Sequence, residues 1–378
     1  MNLSKISDVL IVGGGVIGLA IARQLHKKGA RKITVLERGA VGREASYAAA
    51  GMLAPQAETE EINDFFHLCN ESNKLYPSIA DELFDETGID IELDQSGTLY
   101  LAFTDGDVKN IRHRFAWQKK AGLEIEYLSA EAVRKLEPFA SPDVREALFF
   151  PNDWQVENRK LLAALEKYAR TNQIEIVENL NVKNLLIEDG KVVGVETTNQ
   201  NFSASTFVLA TGAWTSLIKA GGLLLPVITP IRGQILSFKT AKRLFKRVIY
   251  SPRGYLVPRI DGRILAGATV ESVGFDKNVT ASGIDFLHEN ALEIAPSLVN
   301  LERYETWANL RPFASDGFPV LGAFPEAENL YIATAHYRNG ILLAPVTAEI
   351  LADKILENRD SKYLKIYSPR RFQKAKAF

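Results

Sequence analysis

The feature that most narrows what this chain can become lies near its N-terminus, where Gly13, Gly15 and Gly18 spell G-x-G-x-x-G. The motif has its structural context. Asp8 to Val12 is a short β-rich run before the glycines, a 3.6-period apolar pattern follows from Val16 to Lys28, and Lys32 to Leu36 is again β-like. Together they predict a βαβ unit that holds a dinucleotide. The first glycine permits the tight turn, the second lets a pyrophosphate approach the backbone, and the third lets helix and strand pack closely. Backbone N–H groups at the helix start, around Val16 and Ile17, then face the phosphates. Glu37, followed by Arg38, ends the second strand, where its carboxylate accepts hydrogen bonds from an adenosine ribose.

Beyond this unit, helical patterns at Glu60 to Glu86 and Asp107 to Ala121 flank a strand at Thr98 to Phe103, and Asn158 to Thr171 reads as another helix. Two Asp-Gly pairs, Asp189-Gly190 and Asp261-Gly262, sit between alternating runs: Asn184 to Glu188 with Val192 to Glu196, and Tyr255 to Arg259 with Ile264 to Gly267. Both predict hairpins. Thr206 to Ala210 and Leu330 to Thr334 are continuous and apolar, as parallel strands buried on both faces are. No repeat or low-complexity linker divides the chain, so its 378 residues predict two domains interleaved as excursions from one sheet.

Charge and cysteine usage exclude several functions. The 45 basic residues nearly cancel the 46 acidic ones, so no overall field draws nucleic acid or an anionic membrane. The basic end, Arg370 to Lys376, reads as a solvated tail. A lone cysteine, Cys69, rules out an internal disulfide, and with only five histidines no metal site is expected. A reducing, cytoplasmic setting follows. Val9 to Ala22 is apolar, but three consecutive glycines interrupt it and no small-residue cleavage site follows, so neither an export signal nor a membrane span is expected.

The fingerprint alone does not separate NAD from FAD, which share an ADP half. An NAD-binding half should continue into another βα unit, whereas Gly39 to Leu53 reads as a loop of small residues. Within it Ala45, Ser46, Ala50, Gly51 and Met52 would let backbone approach a bulky ring system, although the stretch also fits a plain helix start. Phe207 to Gly212 is a buried strand ending in Ala-Thr-Gly, a pattern of two-domain FAD enzymes in which Gly212 returns beside the flavin. Near the C-terminus, Leu330 to Thr334 leads through His336-Tyr337-Arg338-Asn339-Gly340 into a helix from Ile341 and Leu342. That N-terminus would set N–H groups and a positive dipole against the flavin's electron-rich edge. FAD is the cofactor these features favour.

Three blocks then carry a family resemblance: Gly13 to Met52, Trp307-Ala308-Asn309-Leu310-Arg311-Pro312 with Asp316-Gly317, and His336 to Pro345. In this order, over nearly the whole chain, they resemble the glycine oxidases of the thiamine pathway, within the D-amino-acid oxidase family of FAD-dependent oxidoreductases. The resemblance implies an α/β fold whose Rossmann-like FAD-binding domain (1–85, 145–220 and 312–378) is interleaved with an α+β substrate domain (86–144 and 221–311) on a mostly antiparallel sheet. It implies oxidative deamination of glycine or another small amine or D-amino acid by hydride transfer to flavin. Oxygen is then reduced to hydrogen peroxide, the imine is supplied to thiazole synthesis, and the protein is a homo-oligomer. A D-amino-acid dehydrogenase that passes electrons to a quinone or another acceptor is the alternative. Many sarcosine oxidases, which are relatives, attach FAD through a cysteine near the active site; Cys69 lies far from these blocks, so non-covalent FAD is expected.

The same resemblance assigns residues. Arg311 matches the arginine that grips the substrate carboxylate, for which a guanidinium supplies a planar two-donor fork; the plainer alternative is a surface ion pair. Tyr255 matches a tyrosine that assists the same carboxylate, or is a packed strand residue. Tyr250 matches a second pocket tyrosine, and Arg338 an arginine at the substrate and flavin edge. His336 lies by the flavin or is satisfied in the core, and is not expected to act as a base. Val182 matches a position whose backbone meets the adenine. Two positions depart from the family: a pocket methionine is replaced by Val270 and a pocket-side histidine by Arg253, which predicts a roomier pocket with an extra cation.

Overall fold

The computed structural model of the protein describes residues 3–372. Its first elements are the expected βαβ unit: strand Leu3–Val12, helix Val16–Lys27 and strand Ile33–Leu36, with the strands parallel from Val9 opposite Ile33 to Val12 opposite Leu36. Around this pair the first sheet runs in the order 320–324, 327–334, 201–209, 3–12, 33–36 and 175–177. Alternation explains its continuous apolar strands. Val9 and Ile11 face one core with the helices Val16–Lys27 and Gly340–Glu357, while Leu10 and Val12 face a second core on the other side. The hairpin Val182–Glu188 and Lys191–Thr197 turns on Asp189-Gly190 as predicted, and joins this sheet through strand Asn201–Leu209.

The second sheet runs 303–314, 228–239, 263–267, 254–258, 248–251, 98–102, 146–150 and 126–129. Its pairs are antiparallel except for 248–251 with 98–102. The expected hairpin on Asp261-Gly262 is here, as strands Gly254–Pro258 and Arg263–Gly267. One boundary needs correction. Strand Glu146–Phe150, which the sequence division leaves with the dinucleotide segments, is hydrogen-bonded between the strands 98–102 and 126–129 of the second sheet. Its alternate residues Ala147 and Phe149 pack in that sheet's own core, so burial rather than chain order decides its place.

Other expectations shift by local chemistry. The long helix spans Asp64–Thr87, starting where Asn63 Oδ1 accepts from the Phe66 N–H, and the next spans Asp105–Lys120 behind a Thr104 capping box. The small-residue stretch is not all loop: Ala45–Ala48 forms one helical turn, and Met52–Leu53 pairs with Trp154–Gln155. The basic end is only partly a solvated tail. Arg371 pairs with Asp316 at 2.6 Å and donates to the Phe318 carbonyl, and residues 373–378 lie outside the described residues. No helix among the described residues is long and apolar enough to cross a membrane.

Candidate active site

Residues of both sheets wall a cavity of about 630 Å³. At one end it meets the glycine turn. Gly13 has φ +112°, and a Cβ there would lie 2.3 Å from the Ala210 carbonyl oxygen; a Cβ on Gly18 would lie 1.9 Å from that of Gly13. Gly18 therefore acts beneath the turn and not at the cavity wall, where Gly13, Gly15, Val16 and Ile17 stand. The helix that begins at Val16 has no side-chain cap at Gly15 and no acidic residue in its first turn. Such an end favours an anion. Ser46 Oγ accepts from the Val16 N–H at 3.1 Å and fixes the small-residue loop against it. Glu37 is buried, its two carboxylate oxygens accepting from the N–H of Gly14 at 2.8 Å and of Gly39 at 3.0 Å. Each oxygen keeps a lone pair for a ribose hydroxyl. Arg38, Val182 and Gly212 complete this end. The cradle thus fits the dinucleotide that the sequence implied.

The middle of the cavity is built by side chains at the second sheet that hold the backbone of the small-residue stretch and of Val156. Arg259, buried, donates to the carbonyls of Ala50 at 2.9 Å and Val156 at 2.7 Å, and Trp307 Nε1 donates to the Ala48 carbonyl at 3.0 Å. Ala45, Ser46, Ala50, Gly51 and Met52 line the cavity there. Neither Arg259 nor Trp307 has a sequence signal for this task beyond the latter's place in a motif.

At the far end, Ala335 and Tyr337 hold positive φ, +59° and +49°, which non-glycine residues adopt only when their surroundings enforce it. The Tyr337 N–H donates to the Pro312 carbonyl at 3.1 Å. Tyr337, Arg338, Asn339, Gly340 and Ile341 line the cavity, and the helix Gly340–Glu357 starts there with no side-chain cap and no acid in its first turn. Pro345 inside that helix cannot donate to the Ile341 carbonyl. The Tyr76 hydroxyl donates to it instead, and Ser72 Oγ donates to the Leu342 carbonyl at 2.6 Å. Sequence reading missed both partners, because the position of Pro345 names the Ile341 carbonyl it strands but only the fold shows which hydroxyls reach this turn. Leu342 itself turns into the core and does not reach the cavity, since the helix rotates it away from the face that Ile341 presents. His336 lies at the wall with Nε2 3.1 Å from Thr347 Oγ1, and burial pushes its pKa down to about 3, so it is neutral.

Beside this end stands Arg311, on strand Arg303–Ala314 opposite Ile231. Among the described residues no carboxylate pairs with its guanidinium; its one hydrogen bond is from Nη1 to the Thr269 carbonyl at 3.0 Å. Burial, with nearby Arg338, lowers its pKa. The guanidinium lies across Gly233 of the neighbouring strand, where a Cβ would fall 2.2 Å from either terminal nitrogen. Tyr255 faces the same space, its ring lying over Gly267, where a Cβ would meet the hydroxyl at 2.4 Å. Burial raises the Tyr255 pKa, so the hydroxyl keeps its proton. Arg338 Nη2 donates to Glu58 Oε1 at 3.2 Å and to the Tyr250 hydroxyl at 3.0 Å. Tyr250 therefore stands behind Arg338, stacked on Tyr100, and not at the wall. Gly233, Gly267 and Glu58 are site residues that the sequence did not reveal.

Both departures from the family lie elsewhere than expected. Val270 is 59% exposed in an irregular segment that leaves the sheet after Gly267, and it does not wall the cavity. Arg253 turns away to Glu293, Asp107 and the Phe103 ring. The roomier pocket and the extra cation are withdrawn with them.

Comparison with known proteins places this geometry. The family of FAD dependent oxidoreductases designated DAO matches residues 8–354. A bifunctional protein ThiO/ThiG of Trichormus variabilis is 38% identical over 97% of this chain, but the match takes in 55% of that protein, so the chain spans about half its length. The crystal structure of glycine oxidase from Geobacillus kaustophilus is similar with a TM-score of 0.90 at 33% identity, covering 96% of this chain and 97% of that one. An L-proline dehydrogenase from P. horikoshii is similar with a TM-score of 0.87 at 25% identity, covering 98% and 99%.

Proposed function

The chain belongs to the FAD-dependent oxidoreductases of the DAO family, and from that premise we propose that it oxidises the α-carbon of glycine or another small amine or D-amino acid. The observation that carries this reading is Arg311: a half-buried guanidinium at a cavity wall, with no carboxylate of its own among the described residues, is a fork waiting for one. When bound, FAD supplies the acceptor for the hydride leaving the α-carbon, and its reoxidation by oxygen gives hydrogen peroxide. The chain's own residues do the rest. Arg311 holds the carboxylate, the protonated Tyr255 hydroxyl donates to it, and Arg338, backed by Glu58 and Tyr250, closes the same space. Strand pairing fixes Arg311 and Tyr255, and Glu58 with Tyr250 fixes Arg338, before substrate arrives. His336 is neutral and hydrogen-bonded to Thr347, so it takes no proton, and the substrate amine enters unprotonated.

Similarity to the glycine oxidase and to the ThiO half of the bifunctional protein supports glycine as substrate and an imine delivered to thiamine thiazole synthesis. The FAD is non-covalent: Cys69 is buried in the core and does not wall the cavity. Segments 1–85, 145–220 and 312–378 hold FAD in this reading, with strand 146–150 reassigned to the substrate half along with 86–144 and 221–311. A cytoplasmic homo-oligomer is part of the same proposal. The similarity to an L-proline dehydrogenase keeps one rival, a dehydrogenase passing electrons to a quinone or other acceptor. One experiment tests both: glycine added anaerobically should bleach the oxidised flavin bands, and admitting oxygen should restore them with stoichiometric peroxide. Flavin that glycine does not bleach sinks the substrate reading. Flavin that bleaches but returns only with a quinone transfers the assignment to the dehydrogenase.

A further inference from the structure

The segment 268–280 forms no helix and enters the second sheet's pairing through one isolated bridge, Arg232 with Glu271. It is nonetheless rooted firmly. Arg232, buried, binds Glu271 and Asp276 at 2.6 Å each and the Asn278 carbonyl at 3.0 Å. Gln234 Nε2 donates to Glu271 and to Thr280 at 2.9 Å. From this root the segment reaches across to the first sheet's side of the cavity. Lys277 Nζ lies 2.9 Å from Glu44 and 5.8 Å from the centre of the Trp214 ring, and Phe275 lies 6.2 Å from the same ring. Arg38 Cζ stands 3.8 Å from that ring centre, and Arg38 also binds Glu44 at 2.9 Å. Arg38, Glu44 and Trp214 all wall the cavity at the end that holds Glu37. Against the effect of its burial, Lys277 and Arg38 together hold the Glu44 carboxyl below the usual carboxylate range.

We propose that 268–280 is a strap over the dinucleotide cleft, and that Trp214, gripped by Arg38 from the cleft and Lys277 from the strap, is the latch that sets how fast FAD leaves. The proposal rests on FAD as the cofactor, which family membership gives, and not on the identity of the amine. The cradle's backbone contacts determine how well FAD fits. The strap adds a kinetic barrier, because Lys277 and Phe275, rooted on the second sheet, hold Glu44 and Trp214 of the cleft wall, and these contacts must part for the wall to open and the dinucleotide to pass.

Release is measured directly by diluting holoprotein and following the recovery of free-FAD fluorescence. Trp214→Ala should release FAD roughly tenfold faster, since it removes both cation–ring contacts, and Trp214→Phe should fall between it and the parent because a ring face remains. Lys277→Gln should speed release roughly threefold, as the loss of one partly exposed pair implies. Parental release should quicken with added salt, while Lys277→Gln should respond much less, because the pair that salt screens is gone. Lys135→Gln, which removes an exposed cation far along the chain, should leave the rate unchanged. Lys277 is 39% exposed, so its replacement tests the strap even if Trp214→Ala fails to fold. A parental release rate in Lys277→Gln overturns the proposal. A chain that binds no FAD in any version overturns both this and the family reading, whereas normal FAD binding with no glycine oxidation harms only the substrate assignment.

Discussion

The two ends of the cavity are built on opposite plans. The dinucleotide end is made of backbone and glycine: Gly13 and Gly18 leave no room for a Cβ, and the Glu37 carboxylate is fixed by two backbone N–H groups. The substrate end is made of side chains that meet across distant strands, with Arg311 lying over Gly233 and Tyr255 over Gly267. The first plan tolerates almost no substitution, because the atoms that would clash are backbone. The second leaves the half-buried Arg311 guanidinium with a carbonyl but no carboxylate among the described residues, a need that a substrate carboxylate would meet in the proposed reading. Rigidity serves the cofactor, and an unmet need serves the substrate.

The largest effect should come from the rigid end. Gly18→Ala would place a methyl 1.9 Å from the Gly13 carbonyl oxygen, backbone that cannot yield without opening the turn. The purified variant should carry essentially no flavin by absorbance, and full flavin content would break the contrast. Next comes Arg311→Ala, which should lower kcat/KM for an amino acid roughly 30-fold to several thousand-fold, from the roughly 2–5 kcal/mol of a truncated buried charge pair. The flavin spectrum should be unchanged. Arg311→Lys should recover only part, lacking the planar fork, while a simple amine without a carboxylate should turn over nearly as in the parent. Equal loss of both substrates would remove the carboxylate role.

A third substitution sharpens the comparison by moving the rigid end's logic into the other. Gly233→Ala would put a methyl 2.2 Å from the Arg311 guanidinium, but here the clashing atoms belong to a side chain, which can shift. The protein should fold and keep FAD, and the displaced fork should raise KM roughly 10- to 100-fold, the scale that misplacement of a positioning group carries. Unaltered KM would mean that the clamp tolerates movement and that strand pairing does not preorganise it.

This difference also decides what was legible in the sequence. The βαβ unit, both Asp-Gly hairpins and the apolar runs 206–210 and 330–334, which lie within or end the observed strands 201–209 and 327–334, were readable because local spacing and turn residues specify them. Arg311 and Tyr255 were readable only through family motifs. Gly233, Gly267, Glu58 and Arg259 were not, since each acts on a partner far along the chain that only sheet pairing brings near. Strand 146–150 was assigned by chain order, while its pairing obeys the second core. Val270 was misread for a related reason: a matched position identifies a neighbour in sequence, and the chain had already left the sheet at Gly267.

The smallest effect concerns His336, a titratable group that stands at the cavity wall yet takes no part in either plan. Its ordinary pKa of 6.5 is pushed down to about 3 by burial, so between those values the unfolded chain binds a proton that the folded chain refuses. Stability should therefore be unaffected by this group above pH 6.5, and should fall as the pH drops below it until about 3. At pH 5 the loss should reach at most about 2 kcal/mol, one and a half pH units at 1.36 kcal/mol each. His336→Gln, which still offers Thr347 a hydrogen-bond partner, cannot titrate and should lose less of its denaturation midpoint between pH 7.5 and pH 5 than the parent does. The comparison belongs at saturating FAD, because ligand binding otherwise shifts both midpoints. An identical pH response in parent and variant would show that the imidazole reaches solvent or finds an acceptor when protonated. His336 would then belong with the responsive substrate end, and not with the fixed framework that holds the cofactor.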